Sequence, residues 1–247
     1  MRKHLVWVLG LALAIGVANI AVGANTQKIT GTFKPNTNLS ATNFKPGNLN
    51  VVTETGDTDG NVSPATRAKV FFDDDLRFTT RGLARCTPSQ LNNTSTAQAK
   101  ARCGNAQVGA GAALVALGGS TAPSARLGAT VTAFNGPPRN GNPVILLHSR
   151  TDPPLNSTVV LVGVLRGLPR AGDFGNVLDV TIPPLPGNTA ITRFQVKVQK
   201  SFRFRGKRRS YVSGRCGDGN RKLNYKGTFI FDGSPTKTAL DSQTCTR

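Results

Sequence analysis

The chain predicts a mainly β protein: an antiparallel β-sandwich or jelly-roll-like single domain with one short helical insert. Three observations predict it. Gly and Pro together make 42 of 247 residues, most placed singly between short apolar runs, which is the punctuation of turns between strands. Several runs alternate, as in Phe194-Gln195-Val196-Lys197-Val198, so one face can bury while the other meets water. Helical character is confined to one stretch, and many short strands without intervening helices favour a sandwich or jelly roll over an α/β layer fold.

Residues 1–24 have the three parts of a secretory signal: a basic start at Arg2 and Lys3, an apolar core over residues 5–17, and small residues at Ala21, Gly23 and Ala24. Cleavage is expected after Gly23 or Ala24. Gly16, Asn19 and Gly23 interrupt the apolar run short of the ~20 residues that cross a bilayer, which disfavours a spanning helix. No cysteine lies near the cut to carry a lipid. The mature chain is therefore expected to be secreted or extracytoplasmic, in the cell envelope, with no transmembrane segment.

Residues 25–48 read as an extended N-terminal segment, where Phe33-Lys34-Pro35 is echoed by Phe44-Lys45-Pro46. One echo is too little for a repeat architecture, so this segment is expected to be extended peptide and turn at the sheet edge. The β domain is expected over residues 49–247. Its strands fall at 49–55, 67–72, 108–117, 127–134, 144–149, 158–165, 177–182, 194–200, 210–215 and 225–231. The run from Val159 to Val164 is apolar throughout, which suits a central strand covered on both sides. Glycines 109, 111, 118 and 119 lie among small apolar residues and read as close strand packing; no phosphate-loop lysine follows them. The single helical stretch is 88–101, with Thr87 as N-cap, Pro88 at the first helical position and Gly104 near its end. Its middle, Asn92 to Thr94, is a poor helix former, so two short turns are expected there rather than one rod.

Four cysteines remain after export: Cys86, Cys103, Cys216 and Cys245. Three pairings are possible. Cys86 and Cys103 flank the helical insert and Cys216 and Cys245 bracket the last hairpin, so local pairing is expected. The enclosed stretches hold 18 and 30 residues counted inclusively, and each bridge would contribute about 3 to 4 kcal/mol by restricting the unfolded chain. A zinc site is the alternative, but no C-x-x-C occurs and His148 is the one histidine beyond the signal.

The chain is poor in catalytic groups. Glu54 is its one glutamate. The densest carboxylates are Asp73-Asp74-Asp75, of which Asp73 and Asp75 could share a strand face as a glycosidase pair, bind calcium, or form a solvated turn. Asp57-x-Asp59-Gly60-Asn61 resembles part of a calcium loop but lacks the later bidentate Glu, and an Asx-rich turn is favoured. His148 with Asp152 suggests part of a triad, yet no G-x-S-x-G elbow accompanies them. No catalytic residue, metal or cofactor is expected.

Charge is the stronger signal. Removing Arg2 and Lys3 leaves 29 basic residues against 12 acidic, a net charge near +17. Anionic partners and a merely solvated surface are both compatible with that charge. Residues 197–226 hold 11 basic residues and one acid, Asp218. In Phe202-Arg203-Phe204-Arg205-Gly206-Lys207-Arg208-Arg209 the rings are expected to face the core and Gly206 to permit a turn, leaving a cationic hairpin. Arg203, Arg205, Lys207, Arg208 and Arg209 are thus the candidate polyanion-binding residues, with an anionic cell-wall polymer or polysaccharide as partner. Aromatics between arginines also build nucleic-acid platforms, but there the rings are exposed.

Three groups of residues carry a resemblance: Asp73-Asp74-Asp75-Leu76-Arg77-Phe78 with Gly82-Leu83 and Cys86; Gly206-Lys207-Arg208-Arg209-Ser210-Tyr211 leading to Cys216; and Phe231-Asp232-Gly233 with Cys245. In these the chain resembles an uncharacterised group of secreted actinobacterial all-β proteins, over roughly Phe33 onward. The resemblance implies an extracellular or envelope setting and transfers no catalytic or binding residue. The leading expectation is a non-enzymatic secreted or envelope-associated binding or structural protein. The alternative is a secreted glycan hydrolase on a jelly-roll scaffold.

Overall fold

The computed structural model describes residues 25–56, 60–151, 153–169 and 172–247; the expected signal, the Asp57/Asp59 loop and Asp152 lie outside the described residues. The protein is mainly β and antiparallel, with a short helical insert, as its turn punctuation predicts. The strands are β1 (Thr26–Lys34), β2 (Lys45–Gly56), β3 (Ala65–Asp73), β4 (Leu76–Phe78), β5 (Gln107–Ala116), β6 (Arg126–Arg139), β7 (Asn142–Thr151) and β8 (Thr158–Gly167). They continue as β9 (Phe174–Thr181), β10 (Ala190–Val198), β11 (Ser201–Phe204), β12 (Lys207–Ser210), β13 (Val212–Gly214), β14 (Lys222–Phe231) and β15 (Ser234–Thr244). Helices α1 (Pro88–Leu91) and α2 (Thr96–Cys103) lie between β4 and β5.

One sheet runs β15-β14-β3-β9-β8-β7-β6-β5-β10-β2, with β1 also paired to β2 along its whole length. Residues 45–47 of β2 pair with β13, which in turn pairs with β4. The sheet rolls until β15 lies along β1, and side chains join the two. Asp241 Oδ2 accepts from Gly31 N (2.9 Å), while Gln243 accepts from Phe33 N (2.7 Å) and donates to Phe33 O (3.1 Å). Just past the strand ends, Leu39 N donates to Thr246 O and Thr246 N to Asn36 O. The wall therefore closes, and the facing layers of the expected sandwich are two sides of one rolled sheet. Closure removes two strand edges that would otherwise be open to pairing with another chain.

Residues 26–34, expected as extended peptide at the sheet edge, are strand β1, and Ile29 and Phe33 are buried in the core. The β domain thus begins at Thr26 rather than at residue 49. The two Phe-Lys-Pro copies do different work. Phe33 is fully buried, whereas Phe44 lies under the guanidinium groups of Arg77 and Arg215, 3.8 and 5.0 Å from its ring centre.

Strand alternation sends one set of side chains into the roll, where Leu49, Val51, Val70, Phe72, Leu161 and Val180 belong to a single core. The outward set on β6 to β8 is apolar too. Phe134, Val144 and Leu146 are covered by Leu91, Ala99 and Ala106 of the insert and its exit turn, with Val160 packed beside them. That double covering is why residues 159–164 read as unbroken apolar sequence. The insert breaks where expected: Gln90 accepts from Thr87 N ahead of α1, and Ser95 recaps α2 by accepting from Gln98 N.

Both expected disulfides form, Cys86 with Cys103 and Cys216 with Cys245. The first closes the base of the insert, which Cys86 N joins to β6 by donating to Asn135 O, and the second fastens the C-terminus to the loop after β13. Among the glycines, 109 and 111 serve close packing, since a Cβ at Gly111 would sit 1.9 Å from Gln195 O on β10. Gly118 does not: it has open space around it and φ of 58°, so it serves a turn.

Candidate functional site

The cationic hairpin forms as a separate two-stranded ribbon. Ser201 to Phe204 pair with Ser210 to Lys207, and Arg205 and Gly206 make the turn with φ of 51° and 74°. Two successive positive φ values are those of a type I′ turn, whose twist suits a hairpin. The pairing places Arg203 directly opposite Arg208, Phe202 opposite Arg209, and Phe204 opposite Lys207. Phe202 packs on the main core. Phe204 lies on Gly82, where a Cβ would come within 2.3 Å of the ring. These rings hold the ribbon to the body, so they are not free faces for stacking bases.

Arg203, Arg205, Lys207, Arg208 and Arg209 are all exposed. None of the salt bridges among the described residues involves any of them. Arg81, also exposed, extends the patch, since its guanidinium and that of Arg205 sit 5.8 and 5.4 Å from the centre of the Phe204 ring. Arg81 was missed by sequence reasoning because it stands more than a hundred residues away. Like charges directly opposite across a ribbon repel, and no salt bridge among the described residues offsets the Arg203–Arg208 pair.

The carboxylates tell a different story. Asp73, Asp75 and Asp218 bring an oxygen each within 4.8 Å of one another, but Asp73 and Asp75 are fully buried. Asp73 accepts from Asp75 N (3.0 Å) and Asn224 N (2.7 Å). Asp75 accepts from Arg215 Nε (2.5 Å), Gly217 N and Asp218 N. Their oxygens face backbone donors and an arginine, not a cleft. Burial pushes the Asp73 carboxyl up to about 7, against the pull of its Asn224 and Asp75 hydrogen bonds. This cluster ties the β3–β4 turn to the loop carrying Cys216, which brings the Asp-Asp-Asp motif beside the Cys216–Cys245 bridge.

His148 is buried beneath the insert, its Nε2 3.0 Å from Thr94 O and 3.1 Å from Thr94 Oγ1. Desolvation holds it below the usual imidazole range, so it serves as a neutral tether. On the outer wall Asp179 takes a two-pronged bond from Arg67 (2.7 and 2.6 Å) and another from Arg166 (2.9 Å). These three border a pocket of about 280 Å³ with Arg139, Asn140 and Asn142.

Inside the roll lies an apolar cavity of about 110 Å³. It adjoins a smaller one of about 30 Å³, with which it shares Leu161, Ile191 and Phe194. Sequence alternation indicates which side chains point inward. It does not say whether they fill the space.

Comparison of the chain with protein-family models, curated proteins and solved structures gave no match.

Proposed function

We propose that the protein is a secreted or envelope-associated, non-enzymatic binding protein that holds an anionic cell-wall polymer or acidic polysaccharide on its 201–210 hairpin. The observation that carries this reading is the uncompensated Arg203–Arg208 pair on a ribbon of five exposed cations with no acid. An anionic chain laid along the ribbon would relieve that repulsion, and the flanking cations would sum their fields over a short distance. Two disulfides among the described residues are compatible with an extracytoplasmic setting, and no helix there is long and apolar enough to cross a membrane. The hydrolase alternative draws no support from Asp73 and Asp75, which are buried and engaged.

The test is binding of polygalacturonate and of polyphosphate by the secreted protein. Affinity should fall by about a hundredfold between roughly 50 and 200 mM salt if some five ionic contacts are made. Replacing Arg203, Arg205, Lys207, Arg208 and Arg209 by Ser should leave melting unchanged within a few degrees and abolish retention. Absence of binding by the wild type near physiological salt would remove the proposal.

A further inference from the structure

The 110 Å³ cavity inside the roll has three properties that together define a ligand. The first is its chemistry. Among the described residues, Thr53, Thr55 and Tyr211 supply its polar side chains, no charged side chain lines it, and the rest of the wall is aliphatic or Phe. An ordered water needs two to four polar partners, so a lumen of this kind favours an apolar guest.

The second is its shape. The wall runs along β2 from Leu49 to Thr55 and along β10 from Ile191 to Val198, a distance of roughly 20 Å at about 3.3 Å per residue. Its lining residues come from strands that run side by side along that length, so the lumen is elongated. An unbranched chain lying lengthwise matches a lumen of that form better than a rigid fused ring system.

The third is its polarity end to end. Phe72, Phe78 and Tyr211 plug one end, with ring centres 5.0 and 6.2 Å apart along the series, and Phe72 and Tyr211 are buried. At the other end Thr53, Thr55, Ala65 and Ile191 are all partly exposed. There Thr55 Oγ1 donates to Gln27 Oε1 (2.8 Å), which gives the mouth neutral hydrogen-bonding groups.

We infer that this lumen binds one linear aliphatic chain, methyl end toward the Phe72–Phe78–Tyr211 plug and a small polar head at Gln27 and Thr55. The site is independent of the hairpin, which leaves the body next to the plugged end, just after Val198. Failure of either site would leave the other standing.

The probe is cis-parinarate, a linear polyene whose fluorescence rises in an apolar site. Titration of the secreted protein should give a saturable rise at one equivalent. Unbranched carboxylates should displace it, each added methylene tightening binding about fourfold, the equivalent of ~0.8 kcal/mol, until the chain fills the lumen and the gain stops. Cholesterol should not displace it. Ala68→Phe and Val196→Phe, which project rings into the lumen, should each weaken parinarate at least tenfold in proteins that still melt cooperatively, while polygalacturonate binding stays at the wild-type level. No saturable rise, equal displacement by cholesterol, or wild-type parinarate affinity in both folded variants would overturn the inference. Should neither variant fold, the chain-length series on the wild type decides: a plateau supports the lumen, and an unbroken rise overturns it.

Discussion

Two buried carboxylates give the protein opposite responses to pH. Asp73 is raised to about 7, chiefly by burial. In the window between its unfolded value near 4 and its folded value the native state binds more protons than the unfolded chain, so its contribution is complete below about pH 4 and is lost as pH rises to about 7. Asp179 is held below its ordinary range, chiefly by the hydrogen bonds from Arg67, with the charges of Arg67 and Arg166 adding to them against burial. Its contribution is present above pH ~4 and is lost as pH falls through the folded value. Urea unfolding across pH should therefore show greatest stability near pH 4 to 5, with a loss of at most about 4 kcal/mol toward pH 7 from Asp73. Asp73→Asn should flatten the upper limb and Asp179→Asn the lower one. An unchanged upper limb in Asp73→Asn would show that this carboxyl does not titrate there. Asp73 was visible in the sequence only as part of an acidic run; its burial depends on the 215–218 loop and Asn224, which no local pattern connects to it.

At the scale of elements, legibility followed short apolar runs bounded by turn residues. Ten strands were anticipated from such runs, several of them alternating. β15 was not, since its inward positions include Asp241 and Gln243 while Leu240 is 71% exposed on the outside. Those same polar residues close the roll, so the feature that hid the strand is its function. Replacing Gln243 by Ala should cost about 1 to 3 kcal/mol, because Phe33 N and O lose their partners in a buried setting. Asp241→Ala should act likewise through Gly31 N. Hydrogen exchange at the Gly31 and Phe33 amides should quicken in these variants well before the β6–β7 ladder is affected; uniform quickening would mean that the seam is no separate unit. The hairpin, by contrast, was legible to its turn, but the Arg203–Arg208 opposition emerges only from register. Arg208→Glu should raise melting slightly by pairing with Arg203, and should weaken polyanion binding by more than Arg208→Ser.

For the whole molecule, composition predicted one β domain, four oxidised cysteines and a strong positive charge, all properties that do not depend on how strands are ordered. The lumen was not foreseeable, because it depends on a roll of one sheet whose circumference exceeds what its inward side chains fill. Charge poses a separate question, whether the hairpin or the net charge of +19 governs anion binding. A Debye length of about 8 Å at physiological salt separates the two, since cations on opposite sides of the roll cannot then act together on one polymer segment. The decisive comparison is a second variant of equal charge, with Lys28, Lys100, Arg126, Arg139 and Lys222 changed to Ser. All five are exposed, outside the salt bridges of the described residues, and distributed over β1, α2, β6 and β14. At low salt both variants should bind polygalacturonate more weakly than the wild type, because the long-range field is reduced equally. Near physiological salt they should part: the distributed variant should retain binding within about threefold, whereas the hairpin variant loses it. Equal weakening at both salt concentrations would assign the interaction to bulk charge and remove the hairpin as a site.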